Sequence, residues 1–268
     1  MKVSIVTLSF NQRPFLERAL NSVLQQEYDD LEYIVVDPGS TDGSRELLEQ
    51  YRGQLAHLEL DPDEGPADGL NRGFAVASGD VFAYVNADDR LLPGAVRKAA
   101  TILSEAPDLA AVYAHGFIAG PDDRVLRRFR STPFDARRYV FGGVSVMQQA
   151  TFVRSPAFRE VGGFNARNST CWDAELILDL SLAGMRTRVA DDYWGVFTIH
   201  PESISGSGRL EEPYRRDCAR LFERVMGRAP EGRDRFRFAA ARLQRWISDP
   251  RIVLWRVADQ IGGGQVIP

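Results

Sequence analysis

Apolar and polar positions switch between two periods along the first ninety residues. Lys2 to Leu8 is a short apolar run that predicts a buried strand, and Glu32 to Asp37 predicts a second. Between them, Pro14 to Gln26 places Phe15, Ala19, Leu20, Val23 and Leu24 in helical spacing. The alternation continues with a helix from about Ser44 to Tyr51, a short strand near Leu58, a helix from about Ala67 to Ala77 and a strand that ends at Asn86. Strand, helix and strand in succession predict a parallel sheet, so residues 1–90 read as an open α/β half of nucleotide-binding type. Beyond it, Pro93 is expected at the first position of a helix and Ala110 to Phe117 in another strand. Gly120 to Arg138 is polar, contains two prolines and reads as irregular. Val144 to Val153 alternates toward a strand, and Ala174 to Ala183 predicts a helix. Residues 91–208 thus read as a mixed second half, and from Arg209 the pattern is helical, an extension over 209–268.

With 268 residues and 44% hydrophobic content, the chain can bury roughly three-quarters of its unfolded surface and needs no disulfide to stay folded. Two cysteines, Cys171 and Cys218, and the lack of a charged and then apolar leader before Val3 predict a reducing, cytoplasmic setting. No apolar run approaches the ~20 residues that span a bilayer. A net charge of -4 supplies no global basic field, which speaks against nucleic acid as a partner. The extension departs from this balance, with thirteen arginines against eight acids. There Trp246, Ile252, Val253, Leu254 and Trp255 interleave with Arg242, Arg245, Arg251 and Arg256. That pattern suits either a helical cap packed on the domain or peripheral contact with an anionic membrane surface.

The sharpest chemical signal is Val81-Phe82-Ala83-Tyr84-Val85-Asn86-Ala87-Asp88-Asp89, an apolar strand running without a turn signal into amide and carboxylate side chains. Open α/β sheets bind ligands beyond the carboxyl ends of their strands. Alternation along a strand puts Asn86 and Asp88 on one face and Asp89 elsewhere, a geometry suited to one divalent cation held from one side. After the second strand, Asp37 could accept a hydrogen bond from a base or ribose, or cap the turn of Pro38-Gly39-Ser40. Thr41 or Asp42 would cap the helix that follows.

Five segments in one order carry a family resemblance: Ser4-Ile5-Val6-Thr7, Asp37-Pro38-Gly39-Ser40-Thr41-Asp42-Gly43, Leu70-Asn71-Arg72-Gly73-Phe74, Ser78-Gly79-Asp80, and Asn86-Ala87-Asp88-Asp89 with Pro93-Gly94. Over about residues 2–205 the chain resembles the family 2 inverting glycosyltransferases. The resemblance implies an α/β GT-A fold, with a Rossmann-like, mostly parallel nucleotide-sugar half over 1–90 and a mixed acceptor half over 91–208. It implies a nucleoside diphosphate-sugar donor, UDP- or dTDP-linked, and a hydroxyl of a glycan or lipid-linked saccharide as acceptor. Thr7, Asp37, Asp68, Asn86 and Ala87 fall where the family contacts nucleotide and sugar, and its Asp-X-Asp metal motif falls on Asn86-Ala87-Asp88. Pro38 stands where many relatives carry a second acid, leaving Asp37 alone to read the base, and Asn86 replaces the first acid of the metal motif. Asp88 then becomes the direct ligand of Mn²⁺ or Mg²⁺, which draws its remaining ligands from diphosphate and water.

Val161-Gly162-Gly163-Phe164-Asn165 followed by Thr170-Cys171-Trp172-Asp173-Ala174-Glu175 keeps the family's register, which implies that Asp173 is the catalytic base. Glu175, about 200° further round a helix, reads as a helix N-terminal acid. Asp179 stands where relatives often carry an arginine, which puts an ion pair at that place in question. His200, in Thr198-Ile199-His200-Pro201, falls in the family's loop over the diphosphate. It would complete the metal shell or donate to phosphate, with Gly206, Ser207 and Gly208 letting the loop close. Asn71 would touch the donor or brace the metal loop, Arg72 would face solvent, and Gln148 and Gln149 would bind sugar hydroxyls or serve a sheet edge. Two other classes stay open. A sugar-phosphate nucleotidyltransferase would carry a glycine-rich basic loop, which Ser9-Phe10-Asn11-Gln12-Arg13 is not, and a non-catalytic nucleotide-sugar-binding protein is suggested by Asn86.

Overall fold

The computed structural model of the protein describes residues 1–201, 203 and 210–248. Strands β1 (Val3–Leu8), β2 (Leu31–Val36), β3 (His57–Glu59) and β4 (Val81–Asn86) run parallel in the order β3-β2-β1-β4. β1, β2 and β4 are mainly apolar on both faces because helices cover both. Ile5, Val35, Val81 and Val85 pack beneath α1 (Arg13–Leu24), α2 (Ser44–Tyr51) and α4 (Ala95–Glu105). Val6, Ile34, Phe82 and Tyr84 pack beneath α3 (Pro66–Val76), α6 (Ser155–Glu160) and α7 (Trp172–Leu182). Gly73 permits the close approach of α3, since a Cβ there would stand 2.7 Å from Val6 Cγ1.

The sheet becomes mixed where β8 (Thr151–Arg154) pairs antiparallel with both β4 and β6 (Leu109–Ala119). The long β9 (Arg186–Thr198) then runs parallel to β6 and pairs with the two-residue β5 (Arg90–Leu91), while β7 (Val125–Phe129) folds back on β6. Helix α5 (Ala136–Val140) lies between β7 and β8 in the chain, and α8 (Glu211–Met226) and α9 (Asp234–Ser248) follow the sheet. The rings of Phe141, Phe222 and Phe238 join these last two helices to the second half, with Phe141 5.3 Å from Phe222 and 5.2 Å from Phe238.

Three sequence expectations change, and one strand has no expectation behind it. The helix expected at Pro93 begins at Ala95, because Gly94 adopts a left-handed φ of 74°. Val144 to Val153 is strand only from Thr151; before it a 3₁₀ turn, Gln148–Ala150, is tied down by its own side chains. Within the supposedly irregular Gly120 to Arg138, β7 forms a hairpin arm whose outward arginines disguise it. The charged start of β9 hides a strand in the same way, its exposed residues alternating with half-buried ones along one edge of β6.

No helix among the described residues is long and apolar enough to cross a membrane. The Gly206-Ser207-Gly208 segment and Arg251 to Arg256 lie outside the described residues, as do the side chains of Arg242, Arg245 and Trp246.

Candidate active site

Leu8 pairs with Val36 on one side and with Asn86 on the other, so β1, β2 and β4 end together on one edge of the sheet. Beyond that edge opens a cleft of about 940 Å³. Asn11, Asn86 and Asp88 line it from the first half, and Gln148, Trp172 and Asp173 from the second.

β4 stops at Asn86 because the chain turns: the Asp89 amide donates to the Asn86 carbonyl at 2.9 Å, and the amide of buried Ala87 donates to the Leu8 carbonyl at 3.0 Å. The strand alternation expected to run through Asp88 and Asp89 therefore ends early, and a turn separates their faces instead. Asn86, Ala87 and Asp88 line the cleft. Asp89 is buried beneath it, accepting from Gln149 Nε2 at 2.7 Å, the Thr198 amide at 2.9 Å and Asn86 Nδ2 at 3.1 Å. Burial, with the Asp88 charge beside it, pushes the Asp89 carboxyl well above the usual carboxylate range.

His200 arrives from the chain just past β9. Its Nε2 lies 3.1 Å from Asp88 Oδ2, and its buried ring packs 4.4 Å from the Phe15 ring. Among the described residues no group of three or more His, Cys, Asp and Glu side chains gathers into a metal cage. One carboxylate, one imidazole and a neighbouring amide nonetheless fit a hard divalent cation that takes most of its oxygens from a diphosphate and water.

The remaining candidates on the first half do not reach the cleft wall. Thr7 is buried, its hydroxyl 2.8 Å from that of Tyr33. Asp37 is fully buried and closes its own turn, accepting from the Ser40 amide at 2.8 Å, the Ser40 hydroxyl at 2.6 Å and Arg45 Nε at 3.2 Å. Asp68 accepts from the Glu64 amide at 3.1 Å, ahead of α3. Asn71 braces Phe164, donating to its carbonyl at 2.7 Å and accepting from its amide at 2.9 Å, rather than the metal loop. Arg72 is held by Glu59 at 3.1 Å. Gln148, although it lines the cleft, spends its Nε2 on the Tyr84 carbonyl at 2.8 Å.

Across the cleft, Asp173 is the second residue of α7 and is largely enclosed. Its carboxyl faces both the cleft and a small apolar cavity of about 60 Å³ behind it, lined in part by Phe74, Phe82, Phe158 and Phe164. Desolvation pushes its pKa above the usual aspartate value, against the pull of its own amide and that of Ala174. A carboxylate with a raised pKa is a stronger base toward a hydroxyl proton.

Glu175 does not serve as a simple helix N-terminal acid. It is 1% exposed and accepts two hydrogen bonds from Arg220 at 2.7 Å, one from Asn168 at 2.7 Å and a longer one from Arg224 at 3.3 Å. Burial raises its pKa, but Arg220, Asn168 and Asn165 outweigh that and hold it below the usual glutamate value. Arg224 also reaches Asp179 at 2.5 Å, so the ion pair in question at Asp179 is made by another helix. The Cys171 and Cys218 thiols hydrogen-bond across the same contact, which pulls the Cys218 thiol below its usual range. Arg220 and Arg224 were not foreseen. The signal was present in two acids one turn apart on a helix without a cation, Glu175 and Asp179, upstream of an arginine-rich segment.

A family model described as Glycosyl transferase family 2 matches residues 4–162. The chain is 33% identical over 185 residues to the "Uncharacterized glycosyltransferase Rv1514c" of Mycobacterium tuberculosis, a match covering 67% of this chain and 69% of that one. Among solved structures, S. aureus TarS 1-349 in complex with UDP-GlcNAc superposes with a TM-score of 0.66 at 20% identity, covering 92% of this chain and 73% of that one. The longer TarS chain is covered over 44% of its length. The mannosyltransferase PcManGT from Pyrobaculum calidifontis, in complex with GDP-Man and Mn²⁺, superposes with a TM-score of 0.65 at 17% identity, covering 97% and 74%.

Proposed function

The chain belongs to glycosyl transferase family 2 and has a GT-A fold, and from that premise we propose that it moves one sugar, with inversion, from a nucleoside diphosphate donor to an alcohol. The observation that carries this reading is that Asp88 and Asp173 line one cleft, at the sheet edge where α/β folds place ligands. The donor is UDP- or dTDP-linked, and the acceptor is a hydroxyl of a glycan or lipid-linked saccharide. That TarS is seen with UDP-GlcNAc and PcManGT with GDP-Man and Mn²⁺ supports a nucleotide-sugar donor and a divalent cation.

Asp88 and His200 would hold the Mn²⁺ or Mg²⁺, with Asn86 beside them. The cation, when bound, supplies charge neutralisation for the departing diphosphate. The chain's own part is proton transfer and placement. Asp173 accepts the proton of the acceptor hydroxyl as its oxygen attacks the anomeric carbon from the face opposite the diphosphate, and its desolvated setting favours that transfer. Trp172, also in the cleft wall, keeps its indole nitrogen buried on the Tyr84 side, so its ring and not its N–H forms the floor beside Asp173.

The test is release of nucleoside diphosphate and formation of glycoside from a panel of nucleotide sugars, with and without Mn²⁺. Asp173→Asn should still show a nucleotide-induced rise in melting temperature while transfer is lost. Nucleotide binding by the wild type without transfer or donor hydrolysis would instead identify a binding protein.

A further inference from the structure

We propose that α8, outside the matched family region, is a positioning element for the base, with Asp217, Arg220 and Arg224 setting where Asp173 stands in the cleft. This inference rests on the transferase reading. Helical spacing of three and four residues puts these side chains on one face of α8. That face meets the segment that carries Asp173 both before and after it.

Before it, Asp217 Oδ2 accepts from the Thr170 hydroxyl at 2.7 Å and the Ser169 amide at 3.3 Å. After it, Arg220 takes both oxygens of Glu175, and Arg224 bridges Glu175 and Asp179 one turn on. Asp173 is therefore flanked, three residues back and two residues on, by points fixed from α8. Leu221 packs with Cys171 and Leu178 between the polar contacts, so an apolar seam closes the same interface. Asp173 itself touches none of the three charged residues, and their effect passes through the backbone of 169–175. Among the described residues the cations facing Glu175 are these two arginines, both from α8. A carboxylate almost devoid of solvent access depends on them.

The decisive measurement is a kcat and donor-KM split on the full chain, with moves that relocate the cation. The double variant Arg220→Ala/Arg224→Ala should lower kcat about 100-fold, the cost of a roughly 1 Å misplacement, with donor KM unchanged because the nucleotide is bound by the opposite wall. Adding Asp179→Arg places a cation four residues from Glu175 on α7 itself and should restore most of the lost kcat. Arg220→Lys should keep part of the activity, and Arg215→Ala, on the exposed face of the same helix, should match the wild type. Wild-type kcat in the double variant overturns the inference, as does a triple variant that regains its melting temperature but not its kcat. Should the double variant not fold, Asp217→Asn, which leaves Glu175 its arginines, must still lower kcat at constant donor KM, and an unchanged kcat overturns the inference equally. A wild-type chain that binds UDP or GDP but transfers nothing sinks the transferase reading instead, whereas an active wild type indifferent to these variants sinks the positioning role alone.

Discussion

On the Asp88 side of the cleft the functional residues are placed by the backbone of a parallel sheet, whereas on the Asp173 side a helix is placed by side-chain ion pairs from residues 45 and more positions downstream. The ladder that ends at Leu8 and Asn86 is buried, continuous and insensitive to any one side chain. The clamp on α7 concentrates its strength in Glu175, Asp179 and the two arginines. Substitutions on the first wall should therefore act through what they remove from the cleft, and those on the second through what they let move.

The largest effect is expected at Asp173. Asp173→Asn should cut kcat by about 10²- to 10⁴-fold, the usual contribution of a general base. The same change should stabilise the protein at neutral pH. The folded-state pKa of Asp173 is raised, so its contribution to stability is fully present below the unfolded value and is lost as pH rises through the folded one. The amide carries no such dependence, so thermal melts should show the variant gaining on the wild type as pH rises above the ordinary aspartate value of about 4. A gap that stays constant across that range would mean that the carboxyl is better solvated than its enclosure implies.

Next in size is the loss of the clamp. Arg220→Ala leaves the Glu175 carboxylate buried with only Arg224 and two asparagines, and breaking a buried pair from one side costs about 3–5 kcal/mol. Acid should do the same more gently. Glu175 has a lowered folded pKa, so the stability it contributes is present above the unfolded value and lost as pH falls through the folded one. Tryptophan fluorescence should therefore report loosening around Trp172 only once the pH falls below the usual glutamate range, and the response should be absent in Glu175→Gln.

These contrasts also explain what could be read from the residues alone. The parallel half was legible because its central strands are mainly apolar on both faces and its helices carry an apolar stripe, so pattern and packing agree for Val3–Leu8, Ser44–Tyr51 and Val81–Asn86. β7 and β9 escaped notice because they carry arginines and aspartates on solvent-facing positions, where no apolar alternation records the pairing. At the site, the grouping of Asn86 and Asp88 was legible because they are close in sequence. His200 beside Asp88 rests on a contact 112 residues long, and its place came from motif order rather than from periodicity. The inward roles of Thr7 and Asp37 depend on Tyr33, Ser40 and Arg45 reaching them in three dimensions, which spacing does not encode.

Asn86 offers a smaller and sharper test of the sheet-held wall. Its Nδ2 donates at 3.1 Å to the buried Asp89 carboxyl, so an amide at this position satisfies an acceptor that a second carboxylate could not. Asn86→Asp removes that donor and sets two carboxyls against each other beside Asp88. Without metal, the variant should lose stability through the like charges set against each other, since Asp89 keeps its bonds from Gln149 and Thr198. With Mn²⁺ and a nucleoside diphosphate it should recover, because the added oxygen gives the cation a harder ligand than the amide. The variant's melting temperature should thus depend more steeply on Mn²⁺ than that of the wild type. Equal metal dependence in the two proteins would mean that the side chain at 86 faces Asp89 alone, and that the cation is held by Asp88 and His200 without it.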